Sequence, residues 1–197
     1  MFVMADTQKT LAFIEPMKAL PVEKLPEGDW LYEIKFDGYR ALAFKDGKDV
    51  RLVSRNNKPF DYPELLDSLK KLPVERAALD GEIAALDDKG RSSFQLLQDF
   101  KSSGGVPLVY FVFDLLFLDG KDLRQQPLSA KCKLLAQVLK KAPENIRLSD
   151  ELHGSRDDLL RVAQEFGLEG LVAKRPNSVY ESGRRSARGS NSNTYQL

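Results

Sequence analysis

The segment EIKFDGYR, running from Glu33 to Arg40, decides how this chain is read. Its side chains alternate with the period of two that marks a strand. As a strand it projects Glu33, Lys35 and Asp37 from one face and Ile34 and Phe36 from the other. The charged triplet then faces a cleft and the apolar pair a core. A lysine in mid-strand is costly to bury unless it is paired or put to use. Gly38, directly after Asp37, permits a sharp turn or the close approach of a ligand. Two readings follow: an edge-strand lysine paired with Asp37, or a lysine nucleophile. A free lysine, with a pKa of about 10.4, is protonated at neutral pH. The nucleophile reading therefore needs desolvation, a metal ion or other cations to supply the neutral amine.

Three further segments extend the pattern. LDGEIAALD, Leu79 to Asp87, sets Asp80 and Glu82 on one face and Leu79, Gly81 and Ile83 on the other. Two carboxylates flanking a glycine suggest hydroxyl or metal binding. FVFDLLFLDG, Phe111 to Gly120, is an apolar strand carrying Asp114, and GLEGLVAKR, Gly167 to Arg175, has an acid at one end and a base at the other. Strict alternation puts Glu169 and Lys174 on opposite faces. A bulge at Gly170, or Lys174 lying past the strand end, reconciles them.

Around these segments the period and punctuation predict strands over 30–35, 39–44, 50–54, 77–86, 108–115, 146–148 and 168–174, and helices over 63–72, 94–100, 128–141 and 156–166. Asp150 or Ser155 is available to cap the last helix. Strands adjoin one another early, and helices are scattered later rather than alternating strictly, so an α+β domain with largely antiparallel sheets flanked by helices is expected. Residues 183–197, almost without apolar side chains, are expected to form a disordered tail after a domain spanning 1–182.

Composition narrows the class. A hydrophobic fraction of 42% in 197 residues supplies a core for one domain, and no apolar run approaches a membrane span. A single cysteine, Cys132, excludes an internal disulfide framework and fits a reducing cytoplasm. Thirty basic against 29 acidic residues leave no bulk charge for nucleic acid, so any such contact rests on local groups. The densest group is Lys174, Arg175, Arg184, Arg185 and Arg188. His153 is the only histidine, which leaves histidine-based metal or triad chemistry little to work with. Cys132 reads as an inert, partly buried thiol and Trp30 as a packing residue.

Taken in order, these segments resemble the covalent nucleotidyltransferase superfamily of DNA ligases, RNA ligases and capping guanylyltransferases. Lys35, Asp37, Gly38 and Arg40 match K-x-D-G-x-R in full, and SRNNK, Ser54 to Lys58, matches the next motif. WLYEIKFDGYRA, LDGEIAALDDKGRSSFQLLQ and YFVFDLLFLDGKDLRQQPL read most like the ligase domain of bacterial end-joining DNA ligases. The resemblance implies the nucleotidyltransferase (ATP-grasp-like) fold, with a nucleotide cleft between its sheets. It implies that Lys35 accepts AMP and that Arg40 and Arg55 contact ribose and phosphate. Glu82 would bind ribose or metal, Phe113 stack on adenine, and Lys174 contact the α-phosphate. Glu169 would help Glu82 hold Mg²⁺ or Mn²⁺, while Glu33 and Ile34 line the adenine pocket. The implied cofactor is ATP and the implied partners are nicked double-stranded DNA and DNA end-joining proteins, with the chain a monomer and no membrane involved. An RNA ligase or guanylyltransferase, or a non-catalytic nucleotide- or DNA-binding paralogue, would share the motifs.

The chain departs from the pattern after GRRS, where the family continues to a tryptophan and two alternating lysines that contact the triphosphate. Here ARGSNSNTYQL follows, with no lysine after Lys174 and no room for the C-terminal OB-fold that clamps DNA. The expectation is that this chain binds ATP, adenylates itself weakly or not at all, and seals nicks poorly without the missing part.

Overall fold

The alternating segments form strands that sort into two sheets. In the computed structural model, which describes residues 10–26, 28–100, 105–183 and 194–197, the strands are β1 (Leu20–Pro21), β2 (Leu31–Lys35), β3 (Tyr39–Asp46), β4 (Asp49–Ser54), β5 (Arg76–Ala85), β6 (Leu108–Leu118), β7 (Lys121–Asp122), β8 (Ile146–Leu148), β9 (Gly170–Lys174) and β10 (Thr194–Gln196). The helices are α1 (Pro63–Lys70), α2 (Phe94–Gln98), α3 (Leu128–Leu139) and α4 (Arg156–Glu165). The smaller sheet runs β1-β10-β9-β2 and the larger β4-β3-β5-β6-β7, with β8 pairing β6. Pairing is antiparallel except at β1 with β10 and β6 with β8. The expected α+β class with largely antiparallel sheets is the one observed.

Every expected strand and helix is present, with small shifts at the ends. Ser155, not Asp150, caps α4, its hydroxyl accepting from the Asp158 amide. The expectation of disorder over residues 183–197 fails in part. Residues 184–193, with Arg184, Arg185 and Arg188, lie outside the described residues. Thr194–Gln196, however, form β10 between β9 and β1. Low apolar content hid this strand. It is held by ladder hydrogen bonds and by the Tyr195 ring, which meets Trp30 edge-on at 5.4 Å.

The main core lies between one face of the larger sheet and α1, α2 and α3, where Leu79, Ile83, Val112 and Leu115 meet Leu65, Leu69, Leu97, Leu135 and Val138. A second cluster packs α4, through Leu159 and Ala163, against Tyr32, Leu171 and Ala173 of the smaller sheet. On the other face of the larger sheet, Leu42, Phe44, Ala78 and Leu116 are covered by Leu11, Phe13, Ile14 and Met17 and by Tyr180. Along that same face the strands turn from apolar to charged residues, and a cleft opens between the two sheets. Among the described residues no helix is long and apolar enough to cross a membrane.

Candidate active site

One wall of the cleft is made by β2 and β9. Their antiparallel register sets Glu33 opposite Val172, Lys35 opposite Gly170 and Leu31 opposite Lys174. Cross-strand partners share a face, so Glu33, Lys35 and Lys174 all turn the same way. The buried Glu33 carboxylate accepts from Lys174 Nζ at 2.6 Å and from Ser149 Oγ at 2.8 Å. Burial pushes the Glu33 carboxyl above its usual range, against the pull of Lys174. Lys35 Nζ forms an ion pair with Glu169, both side chains remaining partly exposed. Glu169 precedes β9, so alternation does not govern it. Neither a bulge at Gly170 nor a Lys174 beyond the strand is present, since Lys174 is the last residue of β9.

The expected charged triplet is a pair. Strand β2 ends at Lys35, and the Asp37 carboxylate accepts from the Phe94 amide at 3.0 Å, at the start of α2, while the Asp37 amide donates to Ser92 Oγ at 3.0 Å. A helix N-terminus is a better partner for that acid than Lys35, because its first amides have no acceptor within the helix. Phe36 stacks on Phe111 with centroids 3.9 Å apart. Gly38 has a packing reason: a Cβ there would stand 2.1 Å from the Ile83 carbonyl oxygen.

The second wall comes from β3 and β5. Arg40 lies opposite Glu82 in the ladder and Leu42 opposite Asp80, so both acids and Arg40 share the cleft-side face. The Arg40 guanidinium forks onto the buried Asp80 at 3.1 and 2.7 Å. Tyr180 Oη donates to the same carboxylate at 2.6 Å and accepts from the Met17 amide at 3.1 Å. Burial pulls the guanidinium down, but Asp80 outweighs it and holds Arg40 above its ordinary value. Glu82 receives no hydrogen bond from any described residue. Burial pushes its carboxyl up to about 8, Arg40 offsets this only partly, and Asp80 and Glu169 add to the rise.

The floor is β6, and here alternation breaks. In the β5–β6 ladder Leu79 pairs with Leu115 and Asp80 with Asp114, but Gly81 pairs with Val112, leaving Phe113 as an extra residue. The Phe113 ring centroid lies 4.7 Å from Lys174 Nζ and 5.2 Å from the Arg40 guanidinium. The adjoining Asp114 is bound at 2.8 Å by Lys131, which is 1% exposed. Burial pushes Asp114 above the usual carboxylate range, and Lys131 opposes the rise.

Glu33, Ile34, Lys35, Arg40, Arg55, Glu82, Phe113, Glu169 and Lys174 all line this one cleft, whose volume is about 970 Å³. Arg55 is exposed in the turn after β4, where Ser54 Oγ accepts the Asn56 and Lys58 amides. Sequence reasoning missed Lys131, Tyr180 and Ser149. A lysine within an amphipathic helix reads as surface, and a serine or tyrosine in a loop gives no sign of its distant partner. His153 is exposed, and Arg175 lies over the Trp30 ring at 4.6 Å. Burial raises the Cys132 thiol to about 11, and the charges of Lys174, Glu33, Asp114 and Lys131 also act on it. Among the described residues no group of three or more His, Cys, Asp or Glu is gathered for a metal. An aromatic ring beside several cations and two partly exposed acids suits an aromatic ligand carrying a polyanionic tail.

Comparison with known proteins agrees with this geometry. Residues 13–189 match the family model described as ATP dependent DNA ligase domain. The multifunctional non-homologous end joining protein LigD of Pseudomonas aeruginosa is 39% identical over 87% of this chain and 21% of its own length. DNA ligase C1 of Mycolicibacterium smegmatis is 36% identical over 87% of this chain and 54% of its own length. Among solved structures, the ligase domain of M. tuberculosis LigD superposes with a TM-score of 0.75 at 29% identity, covering 93% of this chain and 58% of that one. A mycobacterial DNA ligase D complexed with ATP and MES gives a TM-score of 0.75 at 28% identity, over 93% and 59% respectively. The chain thus spans between about a fifth and about half of these two curated relatives. Its motifs, its fold and the cleft they line are those of one family, and the chain belongs to it: the ATP-dependent DNA ligase domain family.

Proposed function

We propose that this chain is the nucleotide-charging part of an ATP-dependent DNA ligase acting in repair and end joining. ATP binds in the cleft with its base near Phe113, Glu33 and Ile34 and its phosphates toward Lys174, Arg40 and Arg55. Lys35 Nζ, as the neutral amine, attacks the α-phosphorus in line: a P–N bond forms, the bond to the β-phosphate oxygen breaks, pyrophosphate leaves, and the proton lost from the nitrogen passes to solvent or to the neighbouring Glu169. AMP then passes from Lys35 to the 5′-phosphate at a nick, and a 3′-hydroxyl displaces it. The protein's contribution is position and charge: cations already held by Glu33 and Asp80 face the spot where negative charge develops. The single observation that carries this reading is the convergence of Lys35, Glu169, Lys174, Glu82 and Phe113 on one cleft.

Mg²⁺ or Mn²⁺ fits the donor set. Glu82 and Glu169 both face the cleft, and Glu82 receives no hydrogen bond from any described residue. A hard cation is commonly held by one or two carboxylates together with substrate phosphates. When bound, the cation supplies Lewis-acid neutralisation of phosphate charge. The chain acts as a cytoplasmic monomer, with nicked DNA as its macromolecular partner.

Weak charging and poor nick sealing are expected of this 197-residue polypeptide, because the strand beside Lys174 brings no cation to the cleft. Thr194 and Gln196 pair with Lys174 and Val172 and line the cleft, so β10 contributes neutral side chains there. The test is mass spectrometry after incubation with ATP and Mg²⁺. One added AMP is expected on Lys35, none on Lys35→Ala, and none when GTP replaces ATP. Covalent AMP on the alanine variant would sink the assignment of the nucleophile.

A further inference from the structure

Strand β6 slips twice against β5, with Phe113 and Leu116 as the extra residues on either side of Asp114 and Leu115. The slip at Phe113 carries an inference beyond the family's motifs, and it rests on the nucleotide reading above. In a regular strand Val112 and Leu115 would face opposite ways, yet both belong to the main core cluster. The extra residue between Gly81–Val112 and Asp80–Asp114 pairing makes this possible, and that residue is Phe113. A bulge takes backbone groups out of the ladder and leaves them in want of partners. Here the Asp114 side chain answers: its Oδ1 accepts from the Leu115 amide at 2.8 Å.

This cap is an anion in a poor place for one. Asp114 is 6% exposed and lies directly opposite Asp80, itself 0% exposed. Like charges facing each other across a ladder repel. The compensating charge is Lys131 from α3, whose Nζ lies 2.8 Å from each Asp114 oxygen. At 1% exposed, Lys131 is buried far beyond what a helix lysine requires. Its ammonium is also 5.4 Å from the ring of Tyr180, the residue that holds Asp80.

We propose that Lys131 is a positioning residue: by holding Asp114 as the bulge cap, it fixes Phe113 in the cleft and so sets the platform on which the nucleobase stacks. Phe113 belongs to none of the apolar clusters formed by the described residues. Its place therefore depends on the backbone that carries it. The competing view is a plain stabilising ion pair, for which an apolar pair of similar volume serves equally well.

The experiment separates the two. ATP and inorganic tripolyphosphate are titrated onto the 197-residue chain in buffer free of divalent cations, with thermal melting in parallel. Three variants are compared with the unsubstituted chain: Lys131→Met, Lys131→Met with Asp114→Leu, and Lys131→Met with Asp114→Asn. The leucine pair removes the buried charge and the cap together, and it keeps the question open even if the single variant unfolds. The asparagine pair keeps a neutral acceptor for the Leu115 amide that needs no cation. The proposal expects the leucine pair to melt like the unsubstituted chain, bind ATP about tenfold more weakly, a typical cost of losing one stacked base, and bind tripolyphosphate unchanged. The asparagine pair should regain ATP affinity to within about twofold, the usual error of additivity. Normal ATP binding by the leucine pair, or parallel losses of both ligands, would overturn the proposal while leaving the nucleotide reading intact. Failure of the unsubstituted chain to bind ATP would overturn both.

Discussion

Replacing Gly81 by alanine puts a methyl group where β5 leaves no room. A Cβ at that position would lie 2.4 Å from the Phe111 carbonyl oxygen and 2.6 and 2.8 Å from two carbons of the Tyr110 ring. The carbonyl must retreat by more than half an ångström before any Cβ fits. Neither neighbour yields easily. Phe111 is held in the β5–β6 ladder, and Tyr110 is 0% exposed with its hydroxyl donating to Ala41 O at 2.9 Å and Leu79 O at 3.3 Å. Overpacking of this kind costs about 1–3 kcal/mol. If the ring shifts and its hydroxyl loses its acceptors, the buried group adds about 1–3 kcal/mol. For a chain of this length the sum, about 2–6 kcal/mol, is a fall in Tm of about 4–24 °C. Thermal melting followed by circular dichroism, without nucleotide, measures it. Adding Tyr110→Leu should relieve the ring contact and show a coupling of about 0.5–3 kcal/mol. If Gly81→Ala melts within about 2 °C of the unsubstituted chain yet loses ATP affinity, the glycine serves ligand binding and the packing explanation is wrong.

Two other outcomes test the charge network. The Glu82 carboxyl, raised to about 8 when folded, binds its proton more tightly in the native state than in the unfolded one. Stability should therefore fall as pH rises from the ordinary carboxyl range through about 8. Glu82→Gln should flatten that decline in metal-free buffer, and parallel pH profiles for the two proteins would dismiss it. Tyr180→Phe removes the hydroxyl that serves Asp80 and Met17, which should cost about 1–3 kcal/mol. An unchanged urea midpoint would show that water replaces it.

Much of this was legible because alternation and sheet register carry the same information. LDGEI gave its strand faces correctly: Leu79 and Ile83 lie in the main core, while Asp80 and Glu82 lie on the opposite face with Arg40. Of EIKFDGYR only Glu33 and Lys35 keep the expected shared face. The cleft residues of the motifs are all found on it. What failed was of one kind. Asp37, Glu169 and Thr194 depend on where a strand stops or which distant edge it meets, and period alone does not encode either. Strand β2 stops at Lys35, so Asp37 is free to turn to α2. Strand β9 starts at Gly170, so Glu169 is free to reach Lys35. The partners of the buried acids were equally invisible, since Ser149 lies 116 positions from Glu33 and Tyr180 100 positions from Asp80.

The bulge at Phe113 joins both halves of this lesson. Read as an unbroken strand, FVFDLL would put Phe113 and Leu115 on one face and Val112 and Asp114 on the other. One of those pairs would then send an acid into the core beside Val112. An extra residue resolves the conflict: Val112 and Leu115 stay in the core, and Asp114 takes the face of Asp80. The acid in the apolar run is thus itself the sequence's sign that the strand cannot be regular. The same slip frees Phe113 from the core and leaves its ring beside Lys174 and Arg40. A local demand of packing thereby produces, among the described residues of the cleft, the one aromatic surface flanked by two cations, and the chemistry proposed for Lys35 depends on a ligand that this surface holds in place.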